Sequence, residues 1–165
     1  MLPHRMWQAP FMAGEPVTTF VGREKDLEAL HQIIANRKVG AITGAGGIGK
    51  TEFARMYANR YRSEYPAGVF WASMRGSTWQ HEAHKILKAL YPEAEIVLLF
   101  DNERAKNEIL GHLSQKDTLL IIDNVNEAAD IIGPDCSVLV TTAQKGAFGV
   151  ISRIAIKELK GLSGD

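Results

Sequence analysis

Short apolar runs punctuate the chain at 39–43 (VGAIT), 69–72 (VFWA), 119–123 (LLIID), 137–141 (SVLVT) and 153–156 (RIAI). Each has the length of a buried strand, and LLIID is apolar at consecutive positions, as a central parallel strand covered on both faces requires. The intervals between them carry a helical period. From Glu24 onward Leu27, Leu30, Ile33 and Ile34 share one face until Asn36-Arg37-Lys38 ends the pattern. A second helix is predicted over 51–65, where Phe53, Tyr57, Tyr61 and Tyr65 recur every fourth residue as a core-packing stripe before Pro66-Ala67-Gly68 stops it. Amphipathic helices are predicted over 78–90 and 103–114, and a short one over about 126–132. The run 96–100 fits either a helical turn or a short strand. Strands alternating with helices imply βαβ units, a parallel sheet and right-handed crossovers. Residues 1–19 carry Pro3, Pro10 and Pro16 and no period, so they form an extended lead-in that is disordered or lies across the body.

Composition narrows the class. A chain of 165 residues is long enough for one domain with a real core. Nineteen basic residues balance nineteen acidic ones, which argues against a dedicated nucleic-acid binder while leaving room for a local anion site. Cys136 has no second cysteine to pair with and reads as a small buried residue in a reducing compartment. No apolar stretch reaches signal-peptide or membrane-span length, so a cytoplasmic protein without a membrane partner is expected. His81 and His84 stand three apart on a helix with no further ligand to complete a tetrahedral set, which is a solvated face. Lys145 and Arg153 read as surface charges. Arg75 and Arg104 fall where loops could reach phosphates.

The strongest chemical signal is Gly44-Ala45-Gly46-Gly47-Ile48-Gly49-Lys50-Thr51, a full match to G-x-x-x-x-G-K-[ST] between an apolar strand and an amphipathic helix. The glycines let backbone N–H groups turn inward around a β-phosphate, and the following helix adds its dipole. Lys50 places charge on β/γ oxygens, and the Thr51 hydroxyl can take a Mg²⁺ position. Asp123 ends an apolar strand 73 residues after Lys50 and is the expected acidic partner of that metal, though alone it could equally cap the next helix. Asn124 follows it. An amide orients water but cannot take its proton, so slow or absent hydrolysis is expected.

In these motifs the sequence resembles the nucleotide-binding domain of the STAND ATPases, the NB-ARC group, which includes plant disease-resistance proteins, the apoptotic protease-activating factor and bacterial multidomain regulators. The likeness runs over about 17–163. Phe20-Val21-Gly22-Arg23-Glu24 resembles the hhGRE element, Val69 to Ala72 the second strand with its tryptophan, Leu119 to Asn124 the Mg²⁺ strand, Val138 to Ala143 the sensor strand, and Leu159 to Ser163 the L-x-x-L-S of the next subdomain. The resemblance implies a three-layer α/β P-loop NTPase fold over 20–163, with a five-stranded parallel sheet in the order 2-3-4-1-5. It implies ATP or ADP with Mg²⁺ as cofactors, phosphates held along 44–51 with Glu52 adjoining, and Mg²⁺ on Thr51 and Asp123. Lys50, Asp123 and Asn124 would be the catalytic set. Adenine would lie at Phe20, Val21 and Arg23, and the terminal phosphate near Thr141 and Thr142.

Plainer roles stay open for several of these residues. Phe20 and Val21 could be buried under the first helix, Arg23 could pair with Glu24 or Asp26, and the two threonines could be ordinary β-branched strand residues. Two positions depart from the family pattern: Asn124 stands where an acid is usual, and Ala143 where the sensor strand usually ends in arginine. The family's helical lid and winged helix would follow 163, so a fragment of a longer protein is expected. The reading is an ADP/ATP-binding switch module of a STAND-type signalling or defence regulator. Its partners would be adenine nucleotide, downstream subdomains and, when activated, further copies of itself. The alternatives are an active ATPase motor and a degenerate nucleotide-binding interaction scaffold.

Overall fold

The computed structural model describes residues 9–16, 23–37, 39–44, 49–95, 101–114, 117–127, 131, 135–143 and the backbone of 154–158. Expectations that fall on Phe20, Val21, 45–48 (Ala45, Gly46, Gly47 and Ile48), the run 96–100, Lys145, Arg153 and 159–163 concern side chains or segments outside those residues.

The elements run α1 (Glu24–Arg37), β1 (Val39–Thr43), α2 (Lys50–Arg60), a 3₁₀ turn (Arg62–Glu64), β2 (Gly68–Ser73), α3 (Trp79–Leu90), α4 (Asn102–Leu113), β3 (Thr118–Asp123), β4 (Ser137–Thr142) and β5 (Ile154–Glu158). The strands form one sheet in the order β2-β3-β4-β1-β5, with every neighbouring pair parallel. Parallel pairing sends all the carboxyl ends to one edge, so Ser73 lies opposite Asp123, and Thr43 between Thr142 and Glu158. That is the edge where open α/β sheets bind ligands.

The sheet is covered on both faces. Leu120 and Ile122 of β3 point into a cluster with Ile86, Leu87, Ile109 and Leu113 of α3 and α4. Leu119 and Ile121 point the other way, to Leu27, Leu30 and Ile34 of α1 and Phe53 and Tyr57 of α2. The unbroken apolar run in β3 therefore serves two cores at once.

Two expected helices differ. α2 ends at Arg60 rather than at 65, and the chain tightens into the 3₁₀ turn. Tightening brings Tyr65 under Tyr57, where their hydroxyls meet at 2.8 Å, so the stripe is real but is not one helix. Of the short helix expected over 126–132, the described residues Asn126, Glu127 and Ile131 are not helical. The chain leaving Asp123 stays tied to β4 instead: Val125 N–H donates to the Thr141 carbonyl at 2.9 Å, and the Thr142 hydroxyl to the Val125 carbonyl at 2.6 Å.

The described part of the lead-in lies across the body. Phe11 pairs in parallel with Val69 on the outer edge of β2, through Met12 N–H to the Val69 carbonyl (2.8 Å) and Val69 N–H to the Pro10 carbonyl (2.9 Å). Arg55 and Asn59 of α2 donate to the carbonyls of Ala13 (3.2 Å) and Gly14 (2.8 Å). The strap covers backbone groups that an edge strand would otherwise present to other chains. Cys136 is buried, and His81 and His84 are exposed on α3. Among the described residues no helix is long and apolar enough to cross a membrane.

Candidate functional site

The site begins where β1 gives way to α2. Gly49 precedes the helix in the left-handed region (φ 91°), a conformation that a side chain would strain, and its carbonyl accepts the first helical bond from Phe53 N–H at 2.8 Å. α2 thus opens at Lys50, and its positive dipole end lies at the start of the helix. The Lys50 ammonium donates to the Gly44 carbonyl at 2.9 Å. Burial pushes its pKa below the ordinary lysine range, against an opposing pull from the Asp123 carboxylate.

Asp123, 3% exposed at the end of β3, is the centre of a side-chain network. The Thr51 hydroxyl lies 3.1 and 3.0 Å from its two oxygens, so the first turn of α2 and the tip of β3 are joined. The Thr141 hydroxyl donates to Oδ1, and the Asn124 amide donates to Oδ2 at 3.1 Å. Thr141 also accepts from Asn124 N–H at 2.9 Å, which holds Asn124 at a positive φ of 60°, a conformation asparagine tolerates. One strand over, the Thr43 hydroxyl is buried with no hydrogen-bond partner among the described residues, next to Gly44.

A cavity of about 610 Å³ opens between the head of α2, the segment after Asp123 and the β2–α3 turn. Its walls include Lys50, Glu52, Arg75, Asn124, Asn126 and Ala143. The turn that carries Arg75 is pinned at both ends. Glu82 of α3, 1% exposed, accepts from Ser73 N–H (2.8 Å) and the Ser77 hydroxyl (2.7 Å), and Lys85 approaches the same carboxylate at 3.2 Å. Met74 N–H donates to the Asp123 carbonyl at 2.9 Å. Sequence reasoning missed Glu82. The available signal was its place on the buried stripe Trp79, Ala83, Ile86, Leu87 of α3, where a charge must have partners.

The family model of the NB-ARC domain matches residues 23–157. The chain belongs to the NB-ARC family. Among curated relatives of this NB-ARC domain, "Probable disease resistance protein RF9" of Arabidopsis thaliana is 27% identical over 132 residues, which is 73% of this chain and 12% of that protein. "Probable disease resistance protein RF45" of the same plant is 29% identical over 122 residues, 67% of this chain and 12% of that protein. The chain thus spans about an eighth of the length of these relatives. Among solved structures, Cdc6p of Pyrobaculum aerophilum aligns with a TM-score of 0.58 at 13% identity, covering 87% of this chain and 47% of that one. The Aeropyrum pernix ORC1 protein, solved in complex with DNA, aligns with a TM-score of 0.56 at 16% identity, covering 86% and 46%. At such identities the likeness is one of α/β fold with parallel sheet and helices.

Within the NB-ARC domain the expected residues separate into groups. Gly44, Gly49, Lys50, Thr51, Asp123 and Asn124 come together at the sheet edge, and Glu52 lines the cavity beside Arg55, its ion-pair partner. Thr141 and Thr142 are buried, their hydroxyls turned to Asp123 and Val125, and neither is among the cavity's walls. Arg23 is 4% exposed and pairs with Asp26 at 2.8 Å. Arg104 lies on α4, away from the cavity walls. The donor set suits a phosphate ligand with its metal: hydroxyl and carboxylate oxygens at Thr51 and Asp123 are hard ligands of the kind Mg²⁺ takes, and Lys50 and the helix N-terminus supply positive charge. The cavity volume falls within the ~300–1,000 Å³ common for small-molecule sites.

Proposed function

We propose that this NB-ARC domain binds ADP or ATP with Mg²⁺ and serves as the nucleotide switch of a larger signalling or defence regulator. The observation that carries the reading is the convergence of Thr51 and Asp123, 3.0–3.1 Å apart, beside Lys50 at the head of α2. Lys50 would exchange its bond to the Gly44 carbonyl for phosphate oxygens, and Thr51 with Asp123 would hold Mg²⁺ directly or through water. The metal's contribution is neutralisation of phosphate charge. Backbone N–H groups of 44–51 would cradle the phosphates, and Phe20, Val21 and Arg23 would border the adenine. Thr141 and Thr142 act from behind, bracing Asp123 and the segment after it.

Hydrolysis is slow in this reading. Asn124 cannot accept a proton from an attacking water, and its amide is already committed to Asp123. The switch output would come from subdomains that follow in the intact protein, through contacts that differ between ADP and ATP. The test is to denature the purified protein, identify any nucleotide released, and then measure steady-state phosphate release. Co-purified ADP with turnover far below the ~10 per second of a typical enzyme supports the switch. Turnover near that value favours an ATPase motor instead. A protein free of nucleotide and indifferent to added ATP or ADP favours a scaffold.

A further inference from the structure

Ala143, immediately after β4, lines the cavity without a polar side chain. Lys50 stands on the α2 side of the same cavity. On the opposite side, beyond β3, the β2–α3 turn brings Arg75 to the wall. Arg75 is exposed to that space, and the backbone beneath it is fixed. Ser73 and Ser77 are both tied to the buried carboxylate of Glu82, Met74 is tied to the carbonyl of Asp123, and Gly76 turns the chain at φ 63° immediately after Arg75. A buried carboxylate tied to both Ser73 and Ser77, with Met74 buried between them, holds the turn's tip in one place.

We propose that Arg75 reads the terminal phosphate of a bound nucleoside triphosphate, in the role Ala143 cannot fill, and that Glu82 is its positioning residue. The proposal rests on the nucleotide-binding reading above. Thr51 and Asp123 would hold the metal, and a nucleotide bound with its β-phosphate at the head of α2 would have Asn124, Asn126 and Arg75 as the cavity walls open to its third phosphate. A guanidinium there can form paired hydrogen bonds to phosphate oxygens that ADP does not have. The contact is therefore one of discrimination: it strengthens ATP and leaves ADP unchanged.

The test is calorimetric titration of Mg·ATP and Mg·ADP into the wild type, Arg75→Ala, Arg75→Lys and the double variant Arg75→Ala with Ala143→Arg. Arg75→Ala should weaken ATP by roughly tenfold or more, the scale of a charge-assisted bond, and change ADP less than about twofold. Arg75→Lys should fall between, and Ala143→Arg should recover ATP binding in the Arg75→Ala background. Glu82→Gln should lower ATP affinity while sparing ADP, a split that general loosening of the fold would not produce. Equal effects of Arg75→Ala on both nucleotides, or none on either, would overturn the role of Arg75. A wild type that binds neither nucleotide overturns the underlying reading as well, and that failure is visible in the first titration, before any variant.

Discussion

The head of α2 and the β2–α3 turn face each other across one cavity, yet they hold their cations by different means. Lys50 is placed by local backbone: a left-handed Gly49, a helix that starts at once, and an ammonium resting on the carbonyl of Gly44 six residues earlier. Arg75 is placed from a distance, by a carboxylate on the next helix that reaches back to Ser73 and Ser77. The first wall is a motif and can be carried from protein to protein as a string of residues. The second is a contact between a turn and the following helix, and it holds only while Glu82 stays buried and satisfied.

Removing the hub that both walls touch should cost most. Asp123 gathers Thr51, Thr141 and Asn124 by its side chain and Met74 by its backbone, so Asp123→Ala strips three buried or half-buried donors of their acceptor. A loss of about 3 kcal/mol in chemical denaturation is expected, together with loss of any Mg²⁺ dependence of nucleotide affinity. Glu82→Ala comes next. Urea titration should show about 2 kcal/mol lost, from the orphaned Ser73 N–H and Ser77 hydroxyl, with the change confined to the β2–α3 turn in amide exchange. An equal exchange change at 49–52 would erase the distinction between the two walls.

The support beneath α2 gives a smaller effect. The Tyr57 hydroxyl lies 3.0 Å from His31 Nδ1 and 2.8 Å from the Tyr65 hydroxyl. Tyr57→Phe should cost about 1 kcal/mol. Burial, reinforced by the neighbouring phenols, pushes the Tyr57 hydroxyl far above the ordinary tyrosine range, and burial raises Tyr65 too. Both keep their protons in the folded state while the unfolded chain ionises near pH 10, so above that pH the unfolded state binds fewer protons. Stability should therefore fall as pH rises beyond ~10, with no pH dependence from these groups below it, and the slope should be shallower in Tyr57→Phe. An unchanged slope would contradict the assignment. The smallest contrast lies between two threonines at the same edge. Thr141→Val should cost about 1 kcal/mol because its hydroxyl serves Asp123 and Asn124, whereas Thr43→Val, with no hydrogen bond to lose, should be neutral or slightly stabilising.

The same contrast explains what the chain disclosed in advance. The run LLIID reads as a two-faced strand ending in a carboxylate because period and polarity are local properties, and Asp123 sits where that pattern puts it. The Gly44–Thr51 spacing is local in the same sense. Glu82 falls on the buried stripe of α3, but no local pattern names its partners, which arrive only when the β2–α3 turn folds over it. The tyrosine spacing also misled at the end of α2, because a 3₁₀ turn returns Tyr65 to the Tyr57 hydroxyl without a continuous helix. Thr141 gave no sign that its hydroxyl would turn inward to Asp123, since that depends on β4 pairing beside β3.

The central claim is tested most directly by titrating Mg·ADP into the intact protein and into Lys50→Ala, followed by isothermal calorimetry. The account predicts saturable one-to-one binding to the wild type, weakened by roughly 100-fold in Lys50→Ala while the melting temperature stays close to that of the wild type. Saturable binding that is untouched by Lys50→Ala, or no binding at millimolar nucleotide, would contradict it.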